Sequence, residues 1–116
     1  MKDFLAIPYS KRVLENDLAF AIQDINPVNP GHMLVVPKRV VSNWFEATTE
    51  ERVAMMDIID DLKEIIDAEL APDGYNIGTN IGKAAGQTIF HLHIHVIPRF
   101  NGDTKLPHNG GVRNVL

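Results

Sequence analysis

From His91 to Val96 the chain alternates strictly between histidine and an aliphatic residue, as His91-Leu92-His93-Ile94-His95-Val96-Ile97. Period two is the period of a β-strand, so three imidazoles fall on one face and Leu92, Ile94 and Val96 on the other. A strand that is apolar on one side has to lay that side on a second layer. The chain supplies one. Thr48 and Glu51 have the spacing of a capping box, and behind them Val53, Met56, Ile59, Leu62, Ile65, Ile66 and Leu70 recur every three or four residues. This predicts one long amphipathic helix, broken near Ala71-Pro72-Asp73-Gly74.

Residues 13–15 and 18–22 are short apolar runs around Asn16-Asp17 and predict a β-hairpin. Asn26-Pro27-Val28-Asn29-Pro30-Gly31 is a loop by its turn formers, and residues 32–37 a buried strand that Pro37 ends. Residues 75–80 predict a strand, 81–86 a Gly- and Ala-rich loop, 88–97 a final strand of about ten residues, and 101–111 an irregular tail. With no βαβ alternation, the expected fold class is α+β: a mostly antiparallel sheet with the long helix packed on one face, the other face left for function or a partner. At 116 residues the chain is expected to be a single domain, 1–116. Trp44, Phe45 and the Met55-Met56 pair are expected in core packing, and His108 is expected to be solvated.

A net charge of −4 with no basic stripe excludes a nucleic-acid polymer as the expected partner, and leaves a small phosphate ligand open. Zero cysteines remove disulfides, thiol catalysis and cysteine zinc sites. The apolar stretch at the N-terminus is too short for a signal peptide, and no run of about 18 apolar residues exists. The expectation is a cytoplasmic chain with no membrane partner.

One histidine in a strand is ordinary. Three in register repel one another when protonated and pack no better than Val or Thr. His-x-His pairs do ligate zinc, yet at about 3.3 Å per residue the outer Cα atoms lie roughly 13 Å apart, so three rings on one straight strand would need a bulge or an outside ligand to converge on one ion. Nucleotidyl transfer needs a nucleophile, a holder for an oxyanion and a donor for the leaving group, jobs that a row of imidazoles can divide. An imidazole is largely neutral at cytosolic pH, and a carbonyl on one ring nitrogen fixes the tautomer that leaves the other free to attack. His93, flanked on both sides, is the natural attacker, with His91 and His95 supporting it.

The heptapeptide resembles the His-φ-His-φ-His-φ-φ signature of the histidine-triad (HIT) family. The likeness extends through Ala85-Gly86-Gln87-Thr88, Pro98-Arg99 and residues 30–38, covering roughly residues 10–100. The resemblance implies a HIT-like fold, usually homodimeric. It implies an enzyme acting at the α-phosphate of purine nucleotides, either nucleoside phosphoramidates or dinucleoside polyphosphates. His93 would form a covalent nucleotidyl-histidine intermediate that water then releases. It implies further that His91 supports His93 through its backbone carbonyl, that His95 and Gln87 contact the α-phosphate, that Thr88 assists the leaving group, and that His32 is a fourth histidine near the triad. Asp24 would take the ribose hydroxyls, Asn80 would contact the nucleotide, and Ile22 and Ile25 would wall the base. No metal and no cofactor are expected. Pro98-Arg99 resembles the dinucleoside-polyphosphate hydrolases, whereas the tail lacks the Trp-Pro-Pro-Gly pattern of the Hint branch, so both branches stay open. A nucleotide-binding regulatory module with incidental turnover is the alternative from another class, and a metal-binding histidine cluster a third.

Overall fold

The structure, a computed structural model, describes residues 4–103. The tail beyond them, with His108, lies outside the described residues. Five strands, β1 (Arg12–Glu15), β2 (Ala19–Gln23), β3 (Met33–Pro37), β4 (Gly74–Gly78) and β5 (Ile94–Arg99), form one sheet in the order β1-β2-β3-β5-β4. Every neighbouring pair is antiparallel. One helix, α1 (Thr49–Leu70), joins β3 to β4 across one face. No helix among the described residues is long and apolar enough to cross a membrane.

The β1–β2 turn is built by Asn16, whose Oδ1 accepts from the amides of Leu18 and Ala19 at 3.1 and 3.0 Å. Its Nδ2 donates to the Ala54 carbonyl at 3.0 Å and so ties the hairpin to the helix. Helix α1 begins in the expected capping box: Thr48 Oγ1 accepts from the Glu51 amide at 3.1 Å, and the Glu51 carboxylate accepts from the Thr48 amide at 2.8 Å. It ends at Ala71, which turns into the left-handed region with φ 47°.

The buried stripe of α1 is Met55, Ile58, Leu62 and Ile66, with Ala54 beside it. This corrects the expected stripe, because Val53, Met56 and Leu70 are exposed. Steps of three, four and four residues from Met55 stay on one side of a 3.6-residue helix, whereas the run 53, 56, 59 drifts around it. The core expectation also fails at Phe45, which is 73% exposed, while Trp44 packs at the core's margin.

Alternation along β2 and β3 feeds two apolar clusters. Ala19, Ala21, Met33 and Val35 join Leu92, Ile94 and Val96 beneath α1. Phe20, Ile22, Leu34 and Val36 face the other way and are covered by Phe4, Ile7 and Ile89. The face opposite the helix is therefore partly roofed by the N-terminal segment.

The expected ten-residue final strand is shorter, since β5 starts only at Ile94. The β3–β5 register pairs Met33 with Val96 and Val35 with Ile94, so its continuation sets Pro37 opposite Leu92. Proline has no N–H to give there. The Leu92 amide instead donates to the Val41 carbonyl at 2.7 Å. The side-chain alternation survives this break, with Leu92 still under α1 and the histidines on the other face.

Candidate functional site

The loss of the ladder at residues 91–93 leaves the carbonyls of His91 and His93 to side-chain partners. His91 is buried, and its Nε2 lies 2.8 Å from the Pro37 carbonyl, an acceptor, so this nitrogen carries the proton. The His91 carbonyl accepts in turn from His93 Nδ1 at 2.8 Å. His93 is thereby fixed as the tautomer whose Nε2 is an unprotonated lone pair. Thr79 Oγ1 donates to the His93 carbonyl at 2.8 Å and holds the residue from below.

A second chain of tautomers starts in the Pro-rich loop. The Val28 amide donates to His32 Nδ1 at 3.0 Å, so the proton of neutral His32 sits on Nε2. That nitrogen is 2.9 Å from His95 Nδ1 and 3.4 Å from Asp24 Oδ2. His95 therefore accepts at Nδ1 and offers Nε2–H as a donor. The rings of His93 and His95 meet edge to face at 5.4 Å. One presents a bare nitrogen and its neighbour an N–H.

Burial is the leading cause that lowers the pKa of each of His32, His93 and His95. His95 is pushed down to about 4, with His93 and His32 adding to the burial and Asp24 opposing it. For His93 the hydrogen bond to the His91 carbonyl and the Asp24 charge oppose the shift, while His91 adds to it. Burial thus favours the neutral form of all three rings at pH 7.

Asp24 closes the cluster. Its Oδ1 accepts from the Asn26 amide at 2.9 Å, a turn that opens the loop, while Oδ2 stays beside His32 and lies 3.9 Å from His95 Nδ1. Asp24, His32 and His95 together bring three possible metal donors within 4.8 Å of one another. The donor set does not suit an ion. The Val28 amide already occupies Nδ1 of His32, so a metal on Nε2 would require an imidazolate or the loss of that hydrogen bond.

His93 and His95 open into a cavity of about 220 Å³ whose other walls include Asp24, Ile25, Asn80 and Thr88. A second cavity of about 480 Å³ shares Asp24 and Ile25 with it and is walled by Ile7, Pro8 and Ile22, with Lys11 and Gln23 at its polar edge. Thus six residues singled out in the sequence meet around the first cavity. Ile22 is in the apolar cluster and walls only the second, and His32 and His91 stand behind the rings they orient. Gln87 lines neither cavity and instead ties its loop to the segment before α1. Its Nε2 donates to the carbonyls of Ser42 and Ile89 at 2.6 and 3.0 Å, and its Oε1 accepts from the Gly82 amide at 2.8 Å. Phe4, Ile7 and Thr79 escaped the sequence reading. A weak signal existed for the first two, as apolar residues three apart before Pro8.

The family model of the HIT domain matches residues 7–102. A HIT-like protein of Methanocaldococcus jannaschii is 40% identical over 108 residues, 91% of this chain and 81% of its own. An AP-4-A phosphorylase of Mycobacterium tuberculosis is 38% identical over 92 residues, 78% of this chain and 47% of its own. A bis(5'-adenosyl)-triphosphatase of Dictyostelium discoideum is 37% identical over 93 residues, 80% of this chain and 62% of its own. This chain thus spans less than two thirds of the length of either named enzyme. Among solved structures, a HIT family protein from Bacillus anthracis superposes with a TM-score of 0.76 at 36% identity, over 80% of this chain and 66% of that one.

Proposed function

The chain belongs to the HIT family, and from that premise we propose that it transfers the nucleotidyl group of a dinucleoside polyphosphate through a covalent bond to His93. The observation that carries this reading is the tautomer of His93: Nδ1 is bound to the His91 carbonyl at 2.8 Å, so the nitrogen free to react is the unprotonated one. The α-phosphate sits in the smaller cavity, with the His95 Nε2–H donating to a non-bridging oxygen. The ribose lies at Asp24, whose carboxylate accepts from both hydroxyls and which belongs to both cavities. The base occupies the larger, apolar cavity between Ile22 and Ile25.

In the first step the lone pair of His93 Nε2 forms a bond to phosphorus, and the bond from phosphorus to the bridging oxygen breaks. The leaving polyphosphate departs with that oxygen's electron pair, beside the Thr88 hydroxyl. The imidazole becomes cationic, and its Nδ1–H strengthens its bond to the His91 carbonyl. Water, or an anionic oxygen of phosphate, then attacks phosphorus; the P–N bond breaks, its electron pair returns to Nε2, and where the acceptor is water its proton passes to solvent. The names of the two enzymes among the relatives favour dinucleoside polyphosphates over phosphoramidates, and differ in the acceptor.

The test is intact-protein mass spectrometry during turnover of diadenosine tetraphosphate and of an adenosine phosphoramidate, quenched without acid, with His93→Ala as control. An adenylyl adduct on the wild type alone is expected, with the polyphosphate the faster substrate and product analysis with and without phosphate naming the acceptor. Tight AMP binding with neither adduct nor turnover would overturn the reading and leave a binding module.

A further inference from the structure

Phe4 sits in a 3₁₀ turn, Phe4–Ala6, outside every strand, yet it is fully buried while its neighbour Leu5 is 41% exposed. Its ring does not end in the apolar cluster of Phe20, Ile22, Leu34 and Val36 to which it belongs. It also meets the His93 ring edge on, with centroids 5.1 Å apart and planes at 61°, and the His91 ring at 5.6 Å. The same side chain lines the cavity into which His93 and His95 open. A residue serving the core alone would have no reason to bridge the cluster and two successive imidazoles. Resting on the reading of His93 as nucleophile, we propose that Phe4 is a positioning residue for it: an apolar cover that presses the His93 ring against the His91 carbonyl and keeps water from solvating its charged form.

The physical basis is the absence of charge on Phe4. The ionisable groups around His93 are Asp24, which favours the imidazolium, His91, which disfavours it, and His95, whose own pKa is pushed down to about 4 so that it stays uncharged as His93 titrates. Thr79 adds an uncharged hydroxyl on the backbone carbonyl. Phe4 acts by excluding solvent, and burial is the leading cause that lowers the His93 pKa. Removing the ring therefore raises that pKa toward the ordinary histidine value and loosens the ring's orientation, with no electrostatic partner lost.

The experiment follows the His93 Hε1 resonance against pH in the wild type, Phe4→Ala and Phe4→Leu, beside kcat and KM for diadenosine tetraphosphate. In Phe4→Ala the His93 titration and the acid limb of kcat/KM should move up together, which at pH 5.5 amounts to a loss of up to about tenfold if the ordinary value near 6.5 is reached. Phe4→Leu keeps an apolar cover and should restore the wild-type titration. If Phe4→Ala does not fold, Phe4→Val should show the same direction with a smaller shift. An unmoved His93 titration in the folded Ala or Val variant, or a Leu variant that titrates like the smaller side chains, would overturn the proposal. Wild type that shows the lowered titration but no turnover would count against the nucleotidyl-transfer reading alone.

Discussion

Replacing Glu51 with glutamine asks how much of the stability at the start of α1 is electrostatic. The Glu51 side chain is only 5% exposed, and its oxygens accept from Arg39 at 2.7 and 3.0 Å and from the Thr48 amide at 2.8 Å. Arg39 chiefly, with Thr48, draws the carboxyl from 4.5 down to about 2 against the opposing effect of burial. At about 1.4 kcal/mol per pH unit that is roughly 3 kcal/mol at pH 7. The Arg39 side chain is 55% exposed, so water screens part of its charge and about 2 kcal/mol is the better expectation. Because the folded-state pKa is depressed, this stability is complete above pH 4.5 and is lost as pH falls toward 2. Glutamine keeps the shape and one acceptor but turns an amide N–H toward a guanidinium that can only donate. Urea unfolding should show Glu51→Gln about 2 kcal/mol less stable at pH 7, or roughly 8–10 °C lower in Tm, with the gap narrowing steadily below pH 4.5. A gap that stays constant from pH 7 to 3, or lies under about 0.5 kcal/mol throughout, would refute the electrostatic account. The pair matters to the site because it anchors the segment between β3 and α1, which supplies the Val41 carbonyl to Leu92 and the Ser42 carbonyl to Gln87.

The lowered pKa of His93 has a kinetic counterpart: the acid limb of kcat/KM should be centred below the ordinary histidine value, and a limb centred at 7 or higher would contradict a buried neutral nucleophile. Asp24→Asn removes a charge that favours the imidazolium, so that limb should move still lower whatever the variant does to KM. Thr79→Val removes the hydroxyl that donates to the His93 carbonyl while conserving volume, and should cost about 1 kcal/mol of stability along with a fall in kcat larger than the change in KM; unchanged kcat would show that Thr79 does not help to hold His93.

The alternation at residues 91–97 carried most of what could be known beforehand, because each face of that segment meets a different environment and the sequence records both. Leu92, Ile94 and Val96 lie under α1 and the imidazoles lie together, as period two requires. The start of β5 was not legible, since it depends on the residue opposite in space, Pro37, which is 55 residues away from Leu92 in the chain only by register. The choice between Met55 and Met56 for the core turns on the helical period, since two adjacent methionines have the same chemistry and only Met55 lies in line with Ile58, Leu62 and Ile66. Asp24, Asn80, Thr88, His93 and His95, named through the resemblance, line one cavity, whereas Gln87, named with them, ties its loop to the Ser42 carbonyl. Phe4 has no periodic neighbours to announce it, and its place depends on a roof over the sheet that pattern alone does not describe.

Pro37 places two demands on this backbone in opposition. A residue with an N–H at that position would offer the sheet another rung, and a longer sheet is ordinarily a firmer one. Yet in the stretch that has left the ladder, the carbonyl of His91 accepts from the His93 ring and fixes its tautomer. Length of the sheet and the setting of that ring are therefore alternatives for this segment, and a proline more than fifty residues upstream in the chain sides with the ring.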